Sequence, residues 1–169
     1  MPSRPELAGA AVELSQREDG ERFLAHALNG RTSRFSFVFV DCPPSLGPLT
    51  VNALAAADAV LVPVQAEYYA LEGLAQLLDS VELVRRRLNP RLSVAGILLT
   101  MVDRRTRLAG EVEADVRRHM GGLVFRTTVP RSVRLAEAPS HGLPVIAYDR
   151  RSAGAEAYWK VAMELAERS

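Results

Sequence analysis

Phe37-Val38-Phe39-Val40-Asp41-Cys42-Pro43-Pro44-Ser45 decides how this chain is read. Four β-prone apolar residues run directly into an acid, and two prolines stop any strand there. A run without polar alternation marks a strand buried on both faces, as in a parallel sheet. Such a strand delivers Asp41 to its carboxyl edge, where open α/β sheets bind ligands. A carboxylate there either holds a Mg2+ water or orients an attacking water. The alternative is structural, an aspartate capping the turn that Asp-x-Pro-Pro favours.

Outward from this stretch, strand-like and helix-like segments alternate from about residue 35 onward, the pattern of an α/β domain with a mostly parallel sheet. Phe35–Val40 is the first predicted strand, Leu49–Ala57 a short helix, and Ala59–Val64 the next strand. Leu71, Leu74, Leu78, Val81, Val84 and Leu88 keep helical spacing up to the Asn89-Pro90 stop. Val94–Thr100 reads as a strand, Leu108–Met120 as a helix closed by Gly121-Gly122, and Leu123–Val129 as a partly exposed strand. Pro130–Gly142 reads as a long polar loop, Val145–Tyr148 as a short last strand, and Ala153–Glu167 as the terminal helix. Glu21–Leu28 reads as one helix, whereas the first twenty residues show too little periodicity to assign an element.

The 169 residues suit a single domain with a sizeable core, and 48% apolar content with mean hydropathy +0.01 excludes a disordered chain. Apolar runs fall far short of the roughly 18 residues of a membrane span, and no secretory h-region follows Met1-Pro2-Ser3-Arg4-Pro5. One cysteine excludes an internal disulfide and fits a reducing cytoplasm. The net charge of +1 does not by itself point to nucleic acid. Every basic residue except Lys160 is arginine, which codon bias in a GC-rich genome explains; clustered arginines nonetheless offer planar forks for phosphate.

Two further constellations carry chemistry. Thr100-Met101-Val102-Asp103-Arg104-Arg105-Thr106-Arg107 follows an apolar strand, so it lies on the same sheet edge as Asp41. Its three arginines either contact phosphates or pair with Glu111 and Glu113 in a solvated loop, and charge alone favours the second. In the Pro130–Gly142 connection, Arg131 and Arg134 stand three apart, on one side of a helical turn. A connection that long with no element of its own is often functional. No serine or cysteine is placed for His141 to activate, so packing or capping is favoured for it. A thiol nucleophile at Cys42 is disfavoured, because no helix N-terminus follows directly to lower its pKa. One cysteine and three scattered histidines show no metal-ligand spacing.

Together these residues resemble a family, the ParA-type (Soj-like) chromosome and plasmid partition ATPases. The resemblance rests on Phe39–Gly47, on Val62-Pro63-Val64-Gln65 with Glu67–Leu74, and on Leu99-Thr100-Met101 with Asp103. It rests also on Pro130-Arg131 with Val133-Arg134-Leu135 and Glu137–Gly142. Leu7-Ala8-Gly9-Ala10 with Val12-Glu13-Leu14 matches too, although the family usually has Glu where Ala11 stands. The resemblance implies that Asp41 is the Walker B acid, associated with Mg2+ through water. It implies that Met101, Asp103, Pro130 and Arg131 lie at the nucleotide and that Arg105 and Arg134 contact DNA. It also implies ATP and Mg2+ as cofactors, an ATP-closed homodimer bound to non-specific DNA, a ParB-type partner, no membrane, and a cytoplasmic, nucleoid-associated location.

The sequence departs from that family in one large respect. No G-x-x-x-x-G-K-[ST] loop occurs, and the deviant Walker A lysines and early water-positioning aspartate are missing. The expectation is therefore a partial P-loop NTPase fold lacking the P-loop strand, residues 1–169 forming one domain that is the C-terminal portion of a ParA-type ATPase. Without a P-loop, this chain alone is expected to have no measurable ATPase activity. Its sheet is expected to re-pair, to associate, or to be marginally stable. A short non-catalytic paralogue that binds a full-length ParA or ParB-type partner is the alternative, and a MinD-like division-site ATPase the more distant one.

Overall fold

The computed structural model describes residues 7–43, 45–67 and 69–169, leaving aside the side chain of Ala8. Pro44 and Tyr68 of the motifs quoted above, and the first six residues, lie outside it. The elements are α1 (Leu7–Ser15), α2 (Phe23–Leu28), α3 (Pro48–Ala56), β1 (Ala59–Gln65), α4 (Ala70–Arg87) and β2 (Ser93–Thr100). There follow α5 (Arg107–Met120), α6 (Val133–Glu137), α7 (Val145–Tyr148) and α8 (Ala153–Arg168). This is an α/β arrangement in which β1 and β2 pair in parallel: Ser93 N–H donates to Asp58 O at 3.0 Å, and Ala66 N–H to Thr100 O at 3.3 Å. The chain divides into two compact units, Met1–Val60 with Leu77–Ser93, and Leu61–Gln76 with Val94–Ser169.

In the first unit, buried amides tie the elements together. Asn52 on α3 donates to Gly20 O (2.7 Å) and Pro48 O (3.1 Å) and accepts from Leu24 N–H (3.0 Å). This anchors α2 and the 3-10 turn Gly20–Arg22, which splits the single predicted helix in two. Asn89 donates to Leu54 O (3.0 Å) and Ala57 O (2.7 Å), satisfying carbonyls that the end of α3 leaves orphaned. Ala53, Leu54, Val81, Val84 and Leu92 fill the apolar interior of this unit.

The predicted strand Phe35–Val40 is not formed. It joins no sheet among the described residues, and its large side chains stand exposed, Phe39 most of all at 71%. Phe37 and Phe39 stack on each other, with centroids 6.2 Å apart. The physical reason is that β propensity marks a chain fit for a pleated, half-buried surface and does not create one. A strand without a ladder partner leaves its N–H and C=O groups to water.

The second unit is built on β2 and α8. Phe125 N–H donates to Ile97 O (2.8 Å), Val129 N–H to Leu99 O (2.9 Å), and Arg131 N–H to Val102 O (3.2 Å). Isolated parallel bridges join Ile97 to Val124 and Val102 to Pro130. The predicted strand Leu123–Val129 thus runs beside β2 as bridges instead of a continuous ladder. The spacing of the two bridges shows why: the chain takes five steps from Ile97 to Val102 but six from Val124 to Pro130. The extra residue falls where Arg126 N–H and Thr127 N–H both turn to the Glu164 carboxylate of α8, at 2.7 and 3.0 Å. Leu98, Phe125, Val129, Ala157 and Val161 form the core between these layers.

The polar connection after Pro130 is structured. Pro139 and Pro144 hold the φ that helical turns need, and α6, the 3-10 turn Ala138–His141 and α7 follow one another. Val145–Tyr148, predicted as a strand, is helical because Val145 buries itself against Ala138 and Ala155 with no strand beside it to pair with. Gly154 lets α8 come close to α6, since a Cβ there would stand 2.6 Å from Leu135 Cγ.

Candidate functional site

Asp41 belongs to the first unit, exposed at the end of the unpaired stretch. Burial and then the neighbouring Asp41 charge push the Cys42 thiol pKa up, and its Sγ donates to Val40 O at 3.6 Å. A thiol held protonated is a poor nucleophile, which speaks against cysteine chemistry here.

The remaining predicted site residues lie in the second unit, and the fold brings most of them to one edge. Beyond β2, Met101 adopts a left-handed backbone, φ 52°, unusual for a residue with a side chain and worth about 1–3 kcal/mol of strain. The strain is held in place by the next residue: Val102 is buried, its N–H donates to Val129 O (3.1 Å), and its O accepts from Arg131 N–H. Met101, Asp103, Pro130 and Arg131, far apart in sequence, are therefore fixed side by side. The Arg131 guanidinium also reaches Glu67 at 3.9 Å.

Asp103 organises the next turn. Its carboxylate accepts from Arg105 N–H (3.1 Å) and takes the Arg105 guanidinium on both oxygens, at 2.9 and 2.7 Å. The Arg105 side chain, then its backbone N–H, and the charges of Arg105 and Arg131 pull Asp103 down to about 2. Thr106 closes the turn and caps α5, accepting from Ala109 N–H. The solvated reading of the arginine loop is partly correct: Arg107 pairs with Glu111 at 2.7 Å. Arg134 projects from α6 with its Nη1 3.0 Å from Glu137 and its Nε 3.4 Å from Asp149. Its pKa is pushed up, first by the Glu137 hydrogen bond. His141 stacks on Tyr148 with ring centroids 4.8 Å apart, the packing role favoured for it.

A triphosphate with Mg2+ needs a backbone cradle and a set of oxygen ligands. Among the described residues no group of three or more His, Cys, Asp or Glu can hold a metal ion, and Asp103 is already taken by Arg105. The residues present therefore do not fit that group by themselves. Sequence reasoning named the arginines but missed the acids that hold them. Glu137, three residues after Arg134, was legible as a helical neighbour; Asp149 was not.

Comparison with known proteins gives the family. A family model described as an AAA domain matches residues 1–94. The sporulation initiation inhibitor protein Soj of Bacillus subtilis is 50% identical over 166 residues, covering 98% of this chain and 66% of the relative. The chromosome partitioning protein ParA of Myxococcus xanthus is 49% identical, covering 99% of this chain and 59% of the relative. The chain thus spans about three fifths to two thirds of the length of these relatives. Among solved structures, cobyrinic acid a,c-diamide synthase of Mycobacterium smegmatis, with bound ADP and magnesium, superposes with TM-score 0.78 at 34% identity, covering 99% of this chain and 62% of that one. With an AAA-domain model matched over more than half its length and about half its residues shared with Soj and ParA, the chain belongs to the AAA-domain family as a homologue of these chromosome-partitioning proteins.

Proposed function

We propose that residues 1–169 are the C-terminal portion of a ParA-type ATPase domain and serve the segregation of chromosome or plasmid DNA. The observation that carries this reading is the identity of about half the residues over nearly the whole chain with Soj and ParA. In this reading Asp41 is the Walker B acid, and Met101, Asp103, Pro130 and Arg131 border the nucleotide. Arg105 and Arg134 meet DNA phosphates. ATP and Mg2+ are the cofactors of the whole protein, which closes as a homodimer on non-specific DNA, answers to a ParB-type partner, and works in the cytoplasm at the nucleoid. No helix among the described residues is long and apolar enough to cross a membrane.

Two measurements test it. In the native-length polypeptide with ATP, Arg105→Ala with Arg134→Ala is expected to weaken binding to duplex DNA alike for all sequences. It is also expected to reduce the slope of log K against log salt by about 2, one per lost phosphate contact. An unchanged slope would remove both residues from the interface. Residues 1–169 alone are expected to turn over no ATP above background, because the phosphate loop supplies most of the triphosphate binding in such sites. Turnover by this chain that disappears on Asp41→Ala would overturn that expectation.

A further inference from the structure

Arg134 is offered to DNA by the reading above, yet in the folded chain its guanidinium is already engaged by two carboxylates from different elements. Glu137 comes from the same helix, one turn on, and meets Nη1 at 3.0 Å. Asp149 comes from the end of α7, fifteen residues further along the chain, and stands 3.4 Å from Nε. Neither acid is loosely held. The Tyr148 hydroxyl donates to the same Glu137 oxygen that meets Arg134, at 3.3 Å, and His141 stacks on the Tyr148 ring. The other Asp149 oxygen accepts from Arg151 N–H at 3.2 Å. The Arg134 side chain remains 55% exposed, so an outside anion can reach it.

We propose that Glu137 and Asp149 form an intramolecular stand-in for phosphate, a latch that DNA must displace to engage Arg134. The inference rests on the DNA-binding reading. The chemistry is that of exchange: a guanidinium pairs with carboxylate or phosphate through the same planar fork, so the two compete for it. Exposed pairs of this kind are individually weak, so the latch lowers affinity without abolishing it. Arg105 and Asp103, two residues apart in one turn, are a simpler pair. The Arg134 latch is distinct in drawing on two elements and a tyrosine that positions one of the acids.

The test is a cycle in the native-length polypeptide with ATP, reading affinity for a short DNA duplex at low and moderate salt. Glu137→Gln with Asp149→Asn is expected to tighten binding by roughly two- to tenfold when Arg134 is present. The same pair of changes in an Arg134→Ala background is expected to leave affinity unchanged. Tyr148→Phe alters no charge, keeps the stacked ring and removes the hydroxyl that touches both Glu137 and Arg134; it is expected to tighten binding in the same direction, by less. An equal gain with and without Arg134 would mean general charge removal and would overturn the latch, as would no gain from the acid changes together with none from Tyr148→Phe. Wild-type protein that binds no DNA at low salt would overturn the functional reading itself. Wild-type binding that is lost on Arg134→Ala, yet gains nothing from neutralising the acids, would overturn the latch alone.

Discussion

Phe125→Ala is expected to destabilise the second unit by about 3–5 kcal/mol, the range for removing a fully buried aromatic side chain. Phe125 is 0% exposed and packs among Leu98, Val129, Ala157 and Val161. Its ring occupies a slot that exists because residue 96 is glycine: a Cβ there would stand 2.7 Å from Cδ2 and 2.9 Å from Leu123 O. The opposite side is closed by the Arg168 guanidinium, 4.3 Å from the ring centroid. A cavity between β2 and α8 cannot collapse easily, because the backbone of Phe125 is itself bonded to Ile97 O. Against a typical domain stability of about 5–15 kcal/mol, the loss is a large fraction. Urea unfolding followed by circular dichroism measures it, with Leu123→Ala, at a half-exposed neighbour, as the comparison expected to change little.

Glu164→Ala is expected to cost about 2–5 kcal/mol by a different mechanism. The carboxylate is 4% exposed and accepts from Arg126 N–H, Thr127 N–H and Arg168 Nη2 at 2.7, 3.0 and 2.9 Å. Truncation leaves two backbone donors without their acceptor, while Arg168 Nη2 keeps only its bond to Val124 O at 3.0 Å. The same carboxylate makes stability depend on acid. Burial pushes its pKa up, but the Arg126 and Thr127 N–H groups with Arg168 more than reverse this, so it is held below its ordinary 4.5. A depressed folded-state pKa means the contribution is present above about 4.5 and is lost as pH falls through the folded value. Wild-type stability is therefore expected to fall more steeply below that pH than stability of Glu164→Gln, measured as urea midpoints from neutral pH downward. Parallel curves would show that Glu164 does not carry the effect.

Much of the candidate site was legible before any coordinates. The order of elements, the amphipathic spacing of α4 and the placing of Met101 and Asp103 just past a strand all follow from local pattern, because helix and strand periods are properties of short windows. The family followed from motifs several residues long. Where the reading went astray, the deciding interaction was distant. Phe35–Val40 has every local mark of a strand, yet a strand is a relation between two segments, and no described segment pairs with it. Val145–Tyr148 is β-prone and helical, because Pro144 starts a turn and Val145 finds a core to bury in.

By itself, then, the sequence determined what kind of chain this is: an α/β chain that resembles the partition ATPases, with an acid and two arginines in known order. Tertiary structure alone decided what those groups touch. It turned Glu164 toward amides 37 and 38 residues away, broke the predicted strand Leu123–Val129 into bridges, and brought Asp149 to Arg134. The reason is one of range. Propensity and periodicity act between neighbours along the chain, whereas the pairing of a buried donor or an exposed charge depends on which distant atoms the packed core leaves within reach.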